Sequence, residues 1–217
     1  LATPGLFEAH AHLLPLGLGM AEIDARPHNA RTLDDLLGLI RAEAARKKPG
    51  EWIMARGYDQ FELDVKRHPH RTELDAAAPD NPVYLVRACG HLAVVNSLAL
   101  KLAGVTKSTP VPAGGAIEQV NGELTGLMAE NGRAPVKAVL PDPSDEDLIA
   151  GIERGARYMN SFGITSTMDA AVGIRSKYRE IPAYRKAVRT GRQPIRVTQC
   201  LLASPDGILD RCYAEGL

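Results

Sequence analysis

Short apolar runs alternate with stretches whose apolar residues recur at helical spacing. Residues 6–13 read as a short strand behind a Pro4-Gly5 turn. Leu33, Leu36, Leu37 and Ile40 then fall on one helical face, with Thr32 as N-cap and Asp34 and Asp35 in the first turn. That helix runs into Arg46-Lys47-Lys48, a solvated basic end that suits the helix dipole, and stops at Pro49-Gly50. Strands are predicted over residues 52–57 and 82–87, with Trp52 anchoring the core, and a brief helix over 71–78 lies between them.

Ser97 opens a short helix through Leu102 that ends at Gly104. Asn121-Gly122, between Ile117-Glu118-Gln119-Val120 and Glu123-Leu124-Thr125, marks a hairpin, because this dipeptide readily takes the positive φ angles of a two-residue turn. The stretch 110–126 is read as an insertion into the main repeat. Ser144, followed by Asp145, Glu146 and Asp147, caps a long helix to Phe162, and Gly163 stops it. A strand over 164–169, a helix over 181–190, a strand over 195–202 and a helix over 207–215 complete the pattern. Such alternation predicts parallel strands with helices packed outside. The main repeat has five strands, whereas a closed barrel of this type needs eight.

Composition narrows the function. The 217 residues hold 26 Lys and Arg against 26 Asp and Glu, with no basic stripe, so the electrostatic footprint of a nucleic-acid binder is missing. Neutrality fits a small, largely uncharged substrate. With 45% hydrophobic and 24% charged residues the chain is of globular composition, and no apolar run reaches membrane-spanning length. The opening residues lack the basic and apolar regions of a signal peptide. Cys89, Cys200 and Cys212 form no CxxC pair, which argues against a disulfide framework or a cysteine zinc site. Each cysteine is expected to be a small buried apolar residue in a reducing, cytoplasmic setting.

His10-Ala11-His12 carries the clearest chemistry. Side chains at i and i+2 of a strand share a face, so both imidazoles project together and can grip one metal ion. The plainer reading is a pair of polar residues at a strand end. His91 and Asp59 also fall just past expected strand ends. His91 is a candidate to hydrogen-bond a substrate carbonyl or oxyanion, or else a buried histidine orienting its own loop. Asp59 is a candidate to position substrate, or else a turn cap. Asp169, closing the 164–169 strand, is a candidate polar lining residue, and His28, His68 and His70 are expected at the surface.

The segment Pro4-Gly5-Leu6-Phe7-Glu8-Ala9-His10-Ala11-His12-Leu13 resembles the first-strand signature of the amidohydrolase superfamily. Five further blocks follow in family order: 56–60, 74–83, 90–91 with 95–100, 122–130 and 163–169. Together they resemble the amidohydrolase-3, YtcJ-like branch of metal-dependent hydrolases, which includes N-substituted formamide deformylase. The resemblance implies an α/β fold, a partial (β/α)8 TIM-type barrel with a β-hairpin insertion around 110–126. Residues 1–217 would be its front half, with the flanking β-sandwich and the second half of the barrel absent. It further implies one or two divalent ions, most simply zinc, held by His10 and His12, with Glu130 as a carboxylate bridging two metals. The alternative for Glu130 is an exposed helix residue. The implied reaction is hydrolysis of non-peptide carbon–nitrogen bonds of amide-type small molecules. The general base is expected beyond Leu217, so the isolated chain is expected to be inactive. A half barrel on its own would leave apolar surface and sheet edges open, which predicts homodimerisation or aggregation. The competing reading is a non-catalytic α/β scaffold that has lost its metal.

Overall fold

The computed structural model describes residues 3–203 and 208–216. In chain order these form β1 (Leu6–Ala11), α1 (Leu13–Gly19), β2 (Ile23–Asp24), α2 (Leu33–Ala44), β3 (Ile53–Tyr58), α3 (Arg71–Ala77), β4 (Val83–Arg87), β5 (Leu92–Val95) and α4 (Ser97–Leu102). They continue with β6 (Gly115–Val120), β7 (Glu123–Glu130), α5 (Ala134–Lys137), α6 (Asp145–Asn160), β8 (Ile164–Val172), α7 (Glu180–Arg189), β9 (Arg196–Leu201) and α8 (Leu209–Ala214). The fold is mixed α/β. It separates into two compact units, one of residues 3–21 with 142–203 and 208–216, the other of residues 22–141.

In the first unit a three-stranded parallel sheet has the order β1-β8-β9. Leu6 lies opposite Ile164 and Ala11 opposite Asp169. Leu13, Leu14, Leu148, Ile152 and Tyr184 are buried in a single apolar cluster with Val172 and Ile181. Each fully buried side chain of this kind stabilises by about 1.5–3 kcal/mol relative to exposure. Helix α1 was not foreseen, since Pro15, Gly17 and Gly19 argue against a helix. Tertiary packing overrides that preference: a β-carbon built on Gly17 would fall 1.8 Å from the Gly151 carbonyl oxygen, so the bare backbone of α1 seats directly on α6. Ser144 caps α6 with a full capping box through Asp147, as its sequence indicates.

The second unit is a six-stranded mixed sheet ordered β2-β3-β4-β5-β7-β6. β2, β3 and β4 run parallel; the β4–β5, β5–β7 and β6–β7 pairs are antiparallel. The expectation of parallel strands therefore holds for only part of the chain. Residues 88–91 are too short a connection for a parallel crossover, so β5 must turn back along β4. The two faces of β4 supply separate cores, Val83 and Leu85 packing with Ile40, Ile53 and Leu74, and Tyr84 packing with Leu100, Met128 and Val136. This is the period-two alternation of a strand covered on both sides. Trp52 packs against the second of these cores, as expected.

The hairpin is present, and it is built into a sheet. β7 continues past Thr125 to Glu130 and pairs with β5, Leu92 opposite Ala129, so the hairpin extends the sheet. Gly126 reads as a strand terminator in sequence. In the fold it has φ +92° and lies where a β-carbon would sit 2.3 Å from the Val95 carbonyl oxygen, a close backbone approach inside the strand. The short elements β2, β5 and α5 also went unforeseen. The last helix begins at Leu209, and the expected start at Gly207 lies outside the described residues.

Candidate metal centre and neighbouring polar groups

His10 lies near the end of β1 and His12 just beyond it, as N-cap of α1. Their ring centroids are 5.5 Å apart with the planes at 81°, and both side chains are exposed. The strand alternation thus brings the two imidazoles to one place. The His10 amide donates to Glu8 Oε1 at 3.0 Å, and the Thr167 hydroxyl donates to the Glu8 carbonyl at 3.2 Å, fixing the strand beneath the pair. Immediately after His12, Leu13 and Leu14 are fully buried and anchor the exit of the strand.

Asp169 is not a lining residue. It is 1% exposed, and its carboxylate accepts from the Tyr184 hydroxyl and, at 3.5 Å, from the Leu14 amide. The β8 register sets it opposite Ala11, with its side chain aimed into the core. Burial, reinforced by the Asp169 charge, pushes the Tyr184 phenol well above its ordinary range, so Tyr184 stays a donor.

In the second unit His91 and Glu130 meet. β4 closes at Arg87, and His91 stands exposed at the start of β5, with Nδ1 2.9 Å from Glu130 Oε1. Glu130 ends β7 with φ +47°, so it is a strand-end residue and no helix position. Its amide donates to the His91 carbonyl at 2.9 Å, and Arg133 donates to the Gly90 carbonyl at 2.7 Å. Asp59 caps the turn after β3, accepting from the Phe61 amide at 3.0 Å, and also pairs with Arg87 at 3.1 Å.

Other expectations need correction. His68 is half-buried, not superficial: its Nδ1 lies 2.9 Å from the hydroxyl of fully buried Tyr58. Its His68-Pro69-His70 setting looked like a loop, and only the tertiary contact reveals the pairing. His70 caps α3, and His28 is exposed 3.3 Å from Asp24. Cys212 is buried, but Cys89 and Cys200 are exposed, Cys89 in the turn before His91 and Cys200 on the outward face of β9.

Two imidazoles sharing one face suit a borderline-soft divalent ion, supplying half of a tetrahedral ligand set. Among the described residues, no group of three or more His, Cys, Asp or Glu side chains is gathered closely enough to hold a metal ion. Among them also, no helix is long and apolar enough to cross a membrane.

N-substituted formamide deformylase of Arthrobacter pascens is 31% identical over 202 residues, covering 91% of this chain and 36% of that protein. The protein LONG AFTER FAR-RED 3 of Arabidopsis thaliana is 32% identical over 170 residues, covering 78% of this chain and 29% of its own. The chain thus spans about a third of the length of these relatives. A crystal structure of an uncharacterized metal-dependent hydrolase from Pyrococcus horikoshii OT3 superposes with a TM-score of 0.70 at 28% identity, over 99% of this chain and 39% of that one. The model of the amidohydrolase family matches residues 1–216, and the chain belongs to that family.

Proposed function

We propose that the chain contributes the metal-gripping strand of a hydrolase that cleaves non-peptide carbon–nitrogen bonds of amide-type small molecules, within a (β/α)8 barrel. The observation that carries this reading is the His10 and His12 pair, presented together at the end of the first strand of a chain matched throughout by the amidohydrolase family. His10 and His12 hold a divalent ion, zinc by the preference of imidazole donors. Glu130 offers a carboxylate to a second ion. A bound ion of this kind supplies Lewis-acid activation of water and of the scissile carbonyl.

The chain's own residues do the rest. Glu8 and the buried Leu13-Leu14 segment hold the two imidazoles in register. His91, whose Nδ1 donates to Glu130, presents Nε2 as an acceptor for a substrate N–H or O–H group. Asp59, fixed by Arg87, orients polar groups of the substrate. Three free cysteines support a reducing, cytoplasmic setting. Exposed Leu6 and Phe7 on β1 support self-association through that strand.

The test is metal analysis of the purified protein. Zinc is expected at one or two equivalents, with His10→Ala and His12→Ala each losing at least one. Absence of metal at any stoichiometry in the full-length protein would favour a non-catalytic scaffold.

A further inference from the structure

A cavity of about 650 Å³ opens in the second unit beside the loop that follows β3, lined in part by Gln60, Phe61, His68 and Pro69. This volume suits a small organic ligand. Phe61 presents its ring there while 66% exposed, which leaves its face open for a flat ligand to stack on. The Arg87 guanidinium lies 5.9 Å from the ring centroid, and its Nε donates to Gln60 Oε1 at 2.6 Å. That bond fixes the Gln60 amide with its oxygen turned to Arg87, which leaves the NH2 group as donor.

His68 supplies a second donor. Tyr58 is fully buried, and burial raises its phenol well above the ordinary range, so the hydroxyl keeps its hydrogen. A buried hydroxyl hydrogen needs an acceptor, and His68 Nδ1, at 2.9 Å, is its partner. Burial, with the Arg87 charge, also lowers the His68 pKa and keeps the imidazole neutral. The ring hydrogen is therefore on Nε2, at the opposite edge from Tyr58.

The charged residues of the lining cancel, Lys66 and Arg67 against Glu73 and Glu118. Most are already engaged: Arg67 grips Glu73 at 2.6 and 2.9 Å, Lys66 donates to the Phe61 carbonyl at 2.6 Å, and Glu118 accepts from Thr125 at 2.7 Å. A charged ligand would have to share these groups with the contacts they already make.

We infer that this cavity is a binding site for a neutral aromatic carbonyl compound, its ring stacked on Phe61 and its oxygen accepting from His68 Nε2 and the Gln60 amide. The site belongs to the second unit alone and does not rest on the metal centre.

The probe is benzamide, followed by saturation-transfer NMR on the full chain. Binding in the millimolar range is expected, with Phe61→Ala weakening it about 3- to 10-fold through lost stacking and Gln60→Leu weakening it through a lost donor. Benzoate and benzylamine, charged or lacking the carbonyl, should bind less well. Phe162→Ala, an exposed aromatic of the first unit, should change nothing. A long-range 15N–1H spectrum at pH 7 should show His68 as the neutral Nε2–H tautomer. Any of three results would overturn the inference: no benzamide binding at millimolar concentration, equal affinity in Phe61→Ala, or an Nδ1–H or doubly protonated His68.

Discussion

Asp169 keeps its carboxylate inside the first unit because Tyr184 and the Leu14 amide donate to it. Tyr184→Phe removes one of those donors while preserving shape, and should cost about 1–3 kcal/mol, seen as a lower urea midpoint with an unchanged slope. His10→Ala and His12→Ala, by contrast, change exposed side chains and, compared with the parent in chelator so that all are metal-free, should leave stability within about 0.5 kcal/mol. A loss of metal in those variants therefore reports on ligation and not on folding. The histidine pair was legible because its geometry is local, set by the two-residue period of a strand. Asp169 was not, because its burial depends on Tyr184 in the helix that follows β8. His68 was misjudged for the same reason, since nothing within His68-Pro69-His70 announces the hydroxyl of Tyr58.

Helices announced by their caps were read correctly, whereas α1, which packing alone makes, was not. Thr32 and Ser144 each form a capping box, so Thr32→Ala and Ser144→Ala should each destabilise by about 1 kcal/mol in chemical denaturation. α1 carries no such signal. Its place is set by the contact of Gly17 with the backbone of Gly151, where even one methyl group would force the two helices apart. Gly17→Ala should accordingly cost more than either cap variant, despite the better helix propensity of alanine, and differential scanning calorimetry would rank the three. β5 was missed because a strand of four residues between two turns has too short a pattern to register. The continuation of β7 was missed because Gly126 mimics an end, and only the proximity of Val95 explains why glycine is needed there.

For the whole molecule, the two buried phenols set an alkaline limit. Burial raises both Tyr58 and Tyr184 above the ordinary value of 10.0. Below that pH folded and unfolded chains both keep these protons, and the contribution is constant. As the pH rises past 10.0 the unfolded tyrosines ionise while the buried ones resist, so stability falls toward the raised folded values. Melting temperatures followed from neutral pH upward should drop above this point, and less steeply for Tyr184→Phe. The division into units has a consequence in time as well. Residues 22–141 are one continuous stretch, but β1 must find β8, with Leu6 opposite Ile164. During synthesis the strand bearing His10, with His12 just past its end, stays without its sheet partner until β8 has left the ribosome, while the intervening unit is free to complete itself. Closing so long a loop also slows refolding of the free chain. In pulsed hydrogen exchange, amides of β3 and β4 should gain protection before those of β1 and β8, making the histidine-bearing strand a late arrival in its own fold.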